Sequence, residues 1–128
     1  MQLSENEYII MELLWSEGRP LSRAEILKGT TGRKWNPSSI HLILNNMLSK
    51  NAIKITDEEK KYARTYEAVL TREEYMRQCV ENGMPGKSVG EKLLGVVAAL
   101  VNQSGVSEQD LVALEEMLEK KREELHMQ

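Results

Sequence analysis

Lys34–Ile53, KWNPSSIHLILNNMLSKNAI, holds one helix with its own start and stop, followed by a strand. Asn36 is a cap residue, and Pro37 stands at the first helical position, where a missing N–H costs nothing. Ile40, Ile43, Leu44, Met47 and Leu48 recur at helical spacing and make one side apolar. Asn51 ends the helix, because Asn tolerates the left-handed conformation. The other side carries Ser38, Ser39, His41, Asn45, Asn46 and Ser49. A helix face that meets only water draws on Glu, Lys, Gln and Arg, whereas Ser, Asn and His are poorer helix formers. No acid occurs anywhere from Lys34 to Thr56. This side is composed for hydrogen bonding to a partner.

Outward from that helix the chain shows its frame. Ser/Thr-x-x-Glu recurs at Ser4/Glu7, Ser22/Glu25, Thr71/Glu74 and Ser88/Glu91, with Ser107/Asp110 as a weaker fifth case. In each, the hydroxyl accepts from the third helical amide while the acid reaches back to the cap amide. The first helix spans about Glu5 to Glu17 and stops at Gly18, with Ile9, Ile10, Leu13 and Leu14 as its inner stripe. The second follows Ser22 and ends near Gly29. After the quoted helix the period changes: Ile53 to Thr56 alternates, Asp57 to Lys61 is a charged turn, and Tyr62 to Leu70 is extended again. Three helices followed by a hairpin is the order of a winged helix.

Thr71 opens a fourth helix ending around Gly83, and MPGK forms a hinge. A fifth helix covers Val89 to about Val101, with a wide apolar face. A sixth covers Glu108 to about Leu125, with Leu111, Leu114, Leu118 and Leu125 in a seam. The expected fold is mainly α with a small β-hairpin: an N-terminal winged helix-turn-helix over residues 1–71 and a C-terminal helical dimerisation region over residues 72–128. The fifth helix is too apolar for a lone appendage, and small chains gain cores by association. Its folding back onto its own winged domain is the competing arrangement, which the Pro-Gly hinge opposes.

Composition bounds the function. At 41% apolar and 29% charged residues, the chain has the make-up of a soluble protein. No run of about 18 apolar residues and no signal pattern appears, so a cytoplasmic protein without membrane insertion is expected. Cys79 is the only cysteine, which rules out an internal disulfide and a multi-thiolate zinc site; no metal or cofactor is expected. The net charge of −3 conceals an asymmetry: Arg19 to Arg64 holds ten Lys or Arg against four acids, while Arg72 onward holds seven against eleven. Local charge governs attraction to phosphate, and the middle of the chain is basic.

A recognition helix in a major groove needs short groups that pair with base edges, with cations set aside for phosphates. Asn pairs with adenine N6 and N7, and Ser pairs with several edges. The candidate DNA-binding residues are therefore Asn36, Ser38, Ser39, His41, Leu42, Asn45 and Asn46 on the helix. Arg33, Lys34 and Lys50 flank it, and Lys60, Lys61 and Arg64 lie on the hairpin. The candidate dimerisation residues are Leu93, Leu94, Val97, Leu100, Val101, Leu111, Leu114 and Leu118.

The segments LSENEYIIMELLWSEGRPLSRAEI, KWNPSSIHLILNNMLSKNAI, RTYEAVLTREEY and VSEQDLVALEEMLEKK together resemble the penicillinase-repressor family of bacterial regulators. That family includes the beta-lactamase, methicillin-resistance and copper-responsive repressors. Trp15 at the end of the first helix and Trp35-x-Pro37 before the recognition helix are its most telling pieces. The resemblance covers nearly the whole chain. It implies a homodimeric winged-helix repressor on a dyad-symmetric operator of double-stranded DNA, with the helices after Thr71 interlocking between protomers. It also implies derepression through a membrane sensor protease: staphylococcal members are cut at an Asn-Phe bond that matches Ala99–Leu100 here.

There are departures. Family members often carry Arg or Lys where His41 and Asn46 stand, and Thr where Leu42 stands, so a different operator or a weaker grip is implied. The paired Cys-x-Cys motifs of the copper-responsive members are missing, which excludes metal sensing by that route.

Two other regulator classes compete. A winged helix that binds protein shows an apolar or acidic recognition face. A small-molecule-responsive regulator has a pocket between the fifth helix and the winged domain. An enzyme is not expected. His41 and His126 are the only histidines, no nucleophile, base and orienting group fall together, and no Gly-rich phosphate loop appears.

Overall fold

The computed structural model describes residues 1–56 and 64–127. Its elements are α1 (Glu5–Glu17), β1 (Leu21–Ser22), α2 (Arg23–Gly29), a 3-10 turn (Pro37–Ser39), α3 (Ile40–Ser49), β2 (Ile53–Thr56), β3 (Thr65–Ala68), α4 (Arg72–Gly83), α5 (Val89–Leu100) and α6 (Glu108–His126). The chain divides into two compact units, Met1–Gly83 and Met84–Gln128. The architecture is the expected winged helix followed by helices.

The caps set the helix starts. Ser4/Glu7, Ser22/Glu25 and Ser107/Asp110 form reciprocal boxes. At Thr71 the two bonds are also reciprocal, with the Glu74 amide donating to Thr71 Oγ at 3.1 Å and the Thr71 amide to Glu74 Oε2 at 3.3 Å. Ser88 is one-sided: it accepts from the Glu91 amide at 3.1 Å, while the Glu91 carboxylate takes the Ser88 hydroxyl rather than its amide. The weakest pattern in the sequence thus closes fully and a stronger one does not, because Asp110 has the reach to the cap amide that Glu91 spends on the hydroxyl.

The first unit is built around Ile10, Met11 and Leu14 of α1, Leu21, Ile26, Trp35, the α3 residues Ile40, Leu44 and Met47, and Ala52, Ile53 and Tyr66. The stripe of α1 differs from the expected one. Ile9 is 37% exposed and Met11 is buried. Glu7, Ile10, Met11 and Leu14 are the buried set, a regular i, i+3, i+4, i+7 pattern. A glutamate at its first position disguises it in the sequence. Gly29 lies so near α1 that a Cβ there would stand 2.7 Å from a Leu13 methyl, so a side chain would force Leu13 to shift.

The sheet has three strands in the order β1-β3-β2, one more than the hairpin implies. β2 and β3 are antiparallel, with Ile53 opposite Ala68 and Ile55 opposite Tyr66. β1 adds two residues, Leu21 opposite Tyr66 and Ser22 opposite Thr65. So short a strand shows no alternation in the sequence. The charged turn Asp57 to Lys61 and the expected start of the second strand at Tyr62 lie outside the described residues.

α4 packs in the first unit, which therefore reaches Gly83 rather than ending at residue 71. Tyr75 is buried, with its ring 6.1 Å from that of Tyr8 and 5.8 Å from that of Trp15. Trp15 Nε1 donates to the Leu70 carbonyl at 2.8 Å. Arg72 lies 5.6 Å from the Trp15 ring centre and pairs with Glu12 at 2.8 Å. The sequence-derived boundary followed the capping box. The aromatic contacts that hold α4 arise between distant residues.

Asn51 has φ +59°, as its place at the helix end demands. Asn51→Ala is expected to lower stability by about 1 kcal/mol and Asn51→Gly to leave it within a few tenths, since Ala keeps the Cβ without the polar side chain that lets Asn tolerate this conformation, and Gly has no Cβ to strain. Urea denaturation of the two variants checks the order.

The second unit contains α5, α6 and their connection. No residue of either helix is buried within the chain. Val96, Val97, Leu111 and Leu114 are half-buried against each other across the helix pair. They line part of an open apolar groove of about 190 Å³, with Leu100, Val101, Val106 and Asp110. Leu93, Leu94, Leu100 and Leu118 are 53%, 71%, 58% and 43% exposed. No helix among the described residues is long and apolar enough to cross a membrane.

Candidate nucleic-acid interface

The candidate reading face is the outer side of α3 and the turn that leads into it. Ile40, Leu44 and Met47 anchor the inner side at 3%, 1% and 0% exposure, so the opposite side is held outward. His41, Leu42, Asn45 and Asn46 are exposed on α3, Ser38 is exposed on the preceding turn, and Ser39 is half-buried. Leu42 is 64% exposed, a large apolar group on an otherwise polar face.

Asn36 and Ser38 also serve the local structure. Asn36 Oδ1 accepts from the Ser38 amide and from the Ser38 hydroxyl, both at 3.0 Å. This closes the turn with Pro37 at its first position. Ser49 donates back to the Asn45 carbonyl at 3.0 Å. Among the described residues no hydrogen bond engages the side-chain amide of Asn45 or Asn46, so both are available to a partner.

The flanking cations are arranged differently from the expectation. Arg33 is half-buried. Its Nη1 donates to the Leu27 carbonyl at 2.7 Å and to the Thr30 carbonyl at 3.0 Å, and its guanidinium lies 5.2 Å from the Trp35 ring centre. It closes the C-terminus of α2, where carbonyls lack helical partners. Lys50 Nζ donates to Glu7 Oε1 at 2.6 Å and to the Gln2 carbonyl at 3.0 Å. Lys34 and Arg64 are exposed. Lys60 and Lys61 lie outside the described residues.

Glu7 explains why Lys50 turns inward. Its carboxylate is 4% exposed, and it accepts from the Ser4 amide at 2.7 Å besides Lys50. Burial pushes this carboxyl up, but the hydrogen bonds from Lys50 and Ser4 outweigh that and hold its pKa below the usual value. A depressed folded-state pKa contributes stability that is present above the unfolded carboxylate value, about 4.3. That contribution is lost as the pH falls through the lower folded value. Glu7→Gln is therefore expected to lower stability by about 1–3 kcal/mol at pH 7, since Lys50 loses its charged partner. The difference from wild type should shrink below pH 4. Thermal melts of both proteins from pH 7 to pH 3 measure it, and the comparison cancels the contributions of other acids such as Glu25, lowered to about 2 by the Ser22 amide and Arg19.

One cation was missed in the sequence. Arg23 is the first residue of α2, exposed, and its Nη1 lies 2.7 Å from His41 Nδ1 on α3. The signal for it was its place directly after the Ser22 cap, in the first helix of a helix-turn-helix, which passes near the DNA backbone.

The candidate dimerisation residues all fall in the second unit, on α5, just after it at Val101, or on α6. The Ala99–Leu100 bond lies in the last turn of α5, so a protease would need that turn to unwind before reaching it. Among the described residues no group of three or more His, Cys, Asp or Glu is placed to hold a metal.

Comparison with known proteins bears on the fold and the family. The chain is 26% identical over 122 residues to an uncharacterized 16.5 kDa protein of Latilactobacillus sakei, in the ptsI 3' region, covering 91% of this chain and 78% of that protein. Among solved structures, a MarR family protein from Bacillus stearothermophilus is similar with a TM-score of 0.50 and 13% identity, over 98% of this chain and 77% of that one. The adhesin competence repressor of Streptococcus pyogenes gives a TM-score of 0.47 and 14% identity, over 97% and 81%. The likeness to the Bacillus protein speaks for the fold. Residues 3–120 match the family described as penicillinase repressor, which takes in α1 through most of α6. The chain belongs to the penicillinase repressor family.

Proposed function

We infer that this protein is a sequence-specific transcriptional repressor that binds a dyad-symmetric operator as a homodimer. The observation that carries the reading is the outer edge of α3. It is exposed, free of acids, and presents the unengaged amides of Asn45 and Asn46 beside His41. Base edges offer the donors and acceptors that such groups need. Asn36, Ser38 and Ser39 contribute at the start of the helix, and Lys34 and Arg64 meet phosphates. Arg33 and Lys50 act mainly by holding α2 and α3 in place. The uncovered apolar faces of α5 and α6 supply the contact between protomers. Double-stranded DNA and a second copy of the chain are thus the partners. Release of repression by a sensor protease would act on this second unit, where cutting Ala99–Leu100 divides α5 from α6.

Gel-shift titration across a salt series tests the reading. Operator affinity should fall steeply and linearly on logarithmic axes as salt rises, because phosphate contacts release counterions. Asn46→Ala should relax base preference at one position of each half-site, at a cost of about 1–3 kcal/mol for the favoured base. Affinity that ignores salt, or a variant that weakens every sequence equally, would contradict the assignment. The exposed Leu42 is the feature that a protein-binding winged helix would share. Retention of a protein partner with no DNA binding at any salt concentration would favour that alternative.

A further inference from the structure

The recognition helix carries no cation of its own. From Pro37 to Ser49 there is neither Lys nor Arg. Arg33 spends Nη1 on two carbonyls, and the Lys50 ammonium is tied to Glu7 and Gln2. Guanine shows two acceptors, O6 and N7, in the major groove, and a guanidinium matches both at once. Asn and Ser match adenine or single edges. A reading face limited to α3 would therefore be poor at recognising guanine.

Arg23 supplies what α3 lacks. It begins α2, it is exposed, and it reaches across to the first turn of α3, where Nη1 lies against the His41 ring, 2.7 Å from Nδ1 and 2.5 Å from Nε2. A guanidinium has only donors and a neutral imidazole one acceptor nitrogen, so one of these two approaches is the hydrogen bond. His41 thus holds one end of the guanidinium on this edge. Among the described residues no carboxylate pairs with Arg23. Nε and Nη2 remain open as an edge with two donors in a fixed geometry. Residues 18 apart in the chain are brought together on the outer edge that also carries Asn45 and Asn46.

We propose that Arg23, oriented by His41, is a base-reading residue that recognises a guanine in each operator half-site, beside the bases read by Asn45 and Asn46. This rests on the DNA-binding reading above. Arg23 contacts the base, and His41 is its positioning residue.

The test uses the full chain. Duplexes are selected from a random library with wild-type protein, and each guanine of the selected half-site is then replaced in turn by 7-deazaguanine, which removes the N7 acceptor and leaves the phosphates intact. One such replacement should weaken wild-type binding by about tenfold or more. Arg23→Ala should bind the unmodified duplex about as weakly as wild type binds the modified one, and should be insensitive to that replacement. His41→Ala should lose most of the sensitivity at the same guanine while keeping the wild-type salt slope, which a merely structural role would not do selectively. Circular dichroism melts confirm that each variant is folded. If Arg23→Ala stays as sensitive as wild type at every guanine and only flattens the salt slope by about one phosphate, Arg23 grips the backbone and the proposal is overturned. If wild type selects no sequence at all, the DNA-binding reading itself falls, an outcome distinct from the loss of one guanine contact.

Discussion

Leu94→Asp is expected to leave a monomer and to weaken operator binding by about a hundredfold or more. In the single chain Leu94 is already 71% exposed, and its neighbour Leu93 is 53% exposed. The substitution therefore costs the isolated protomer little. Its effect should appear in the proposed dimer, where a second copy would cover the apolar face of α5. In a twofold interface one substitution enters twice, and each unpaired carboxylate taken from water costs several kcal/mol. Even a total of about 3 kcal/mol raises a dissociation constant about 150-fold. Sedimentation equilibrium over a range of protein concentrations gives the dimer constant, and fluorescence anisotropy with an operator duplex gives the second effect. A variant that remains dimeric at wild-type concentrations would show that the protomers meet through another surface and that α5 is not the seam.

The second large effect comes from beneath the reading face. Leu44→Ala removes a side chain that is 1% exposed and packed in the core of the first unit. The lost transfer energy and the cavity left behind should cost about 2–5 kcal/mol. That is a large share of the stability of a domain this size. Leu42→Ala, two residues earlier, alters a side chain that is 64% exposed, and should change stability by no more than about 0.5 kcal/mol. Denaturant titration of the two variants compares them directly. If both cost the same, the face assigned to DNA is buried in solution and α3 has been turned the wrong way.

Much of the fold was legible because it is written locally. Five capping patterns mark five helix starts, and each is a bond between residues three apart. Gly18 and Asn51 mark ends because both sit at positive φ. The apolar spacing of α3 settled which of its sides faces the core. Local patterns mislead where a residue's place is set by distant partners. Glu7 looked like a capping acid and is also a buried anchor for Lys50. Met11 rather than Ile9 holds the inward place on α1. β1 is two residues long and shows no period. The boundary after residue 71 followed a capping box, whereas α4 stays with the first unit through Tyr75 and Trp15.

The candidate site divides along the same line. Which helix carries the hydrogen-bonding edge, and which side chains stand on it, follows from the order of residues from Asn36 to Asn46. Which cations are available to a partner does not. Lys50 meets Glu7 across 43 residues, Trp15 meets the Leu70 carbonyl across 55, and Arg23 meets His41 across 18. The chain's sequence by itself determined the helices, their caps and the polar edge, because turns and caps are bonds between near neighbours. Only the tertiary structure decided that Arg33 and Lys50 bond to the fold's own carbonyls and to Glu7 and that Arg23 stands beside His41, because a long charged side chain goes to whichever partner the packed backbone brings within reach.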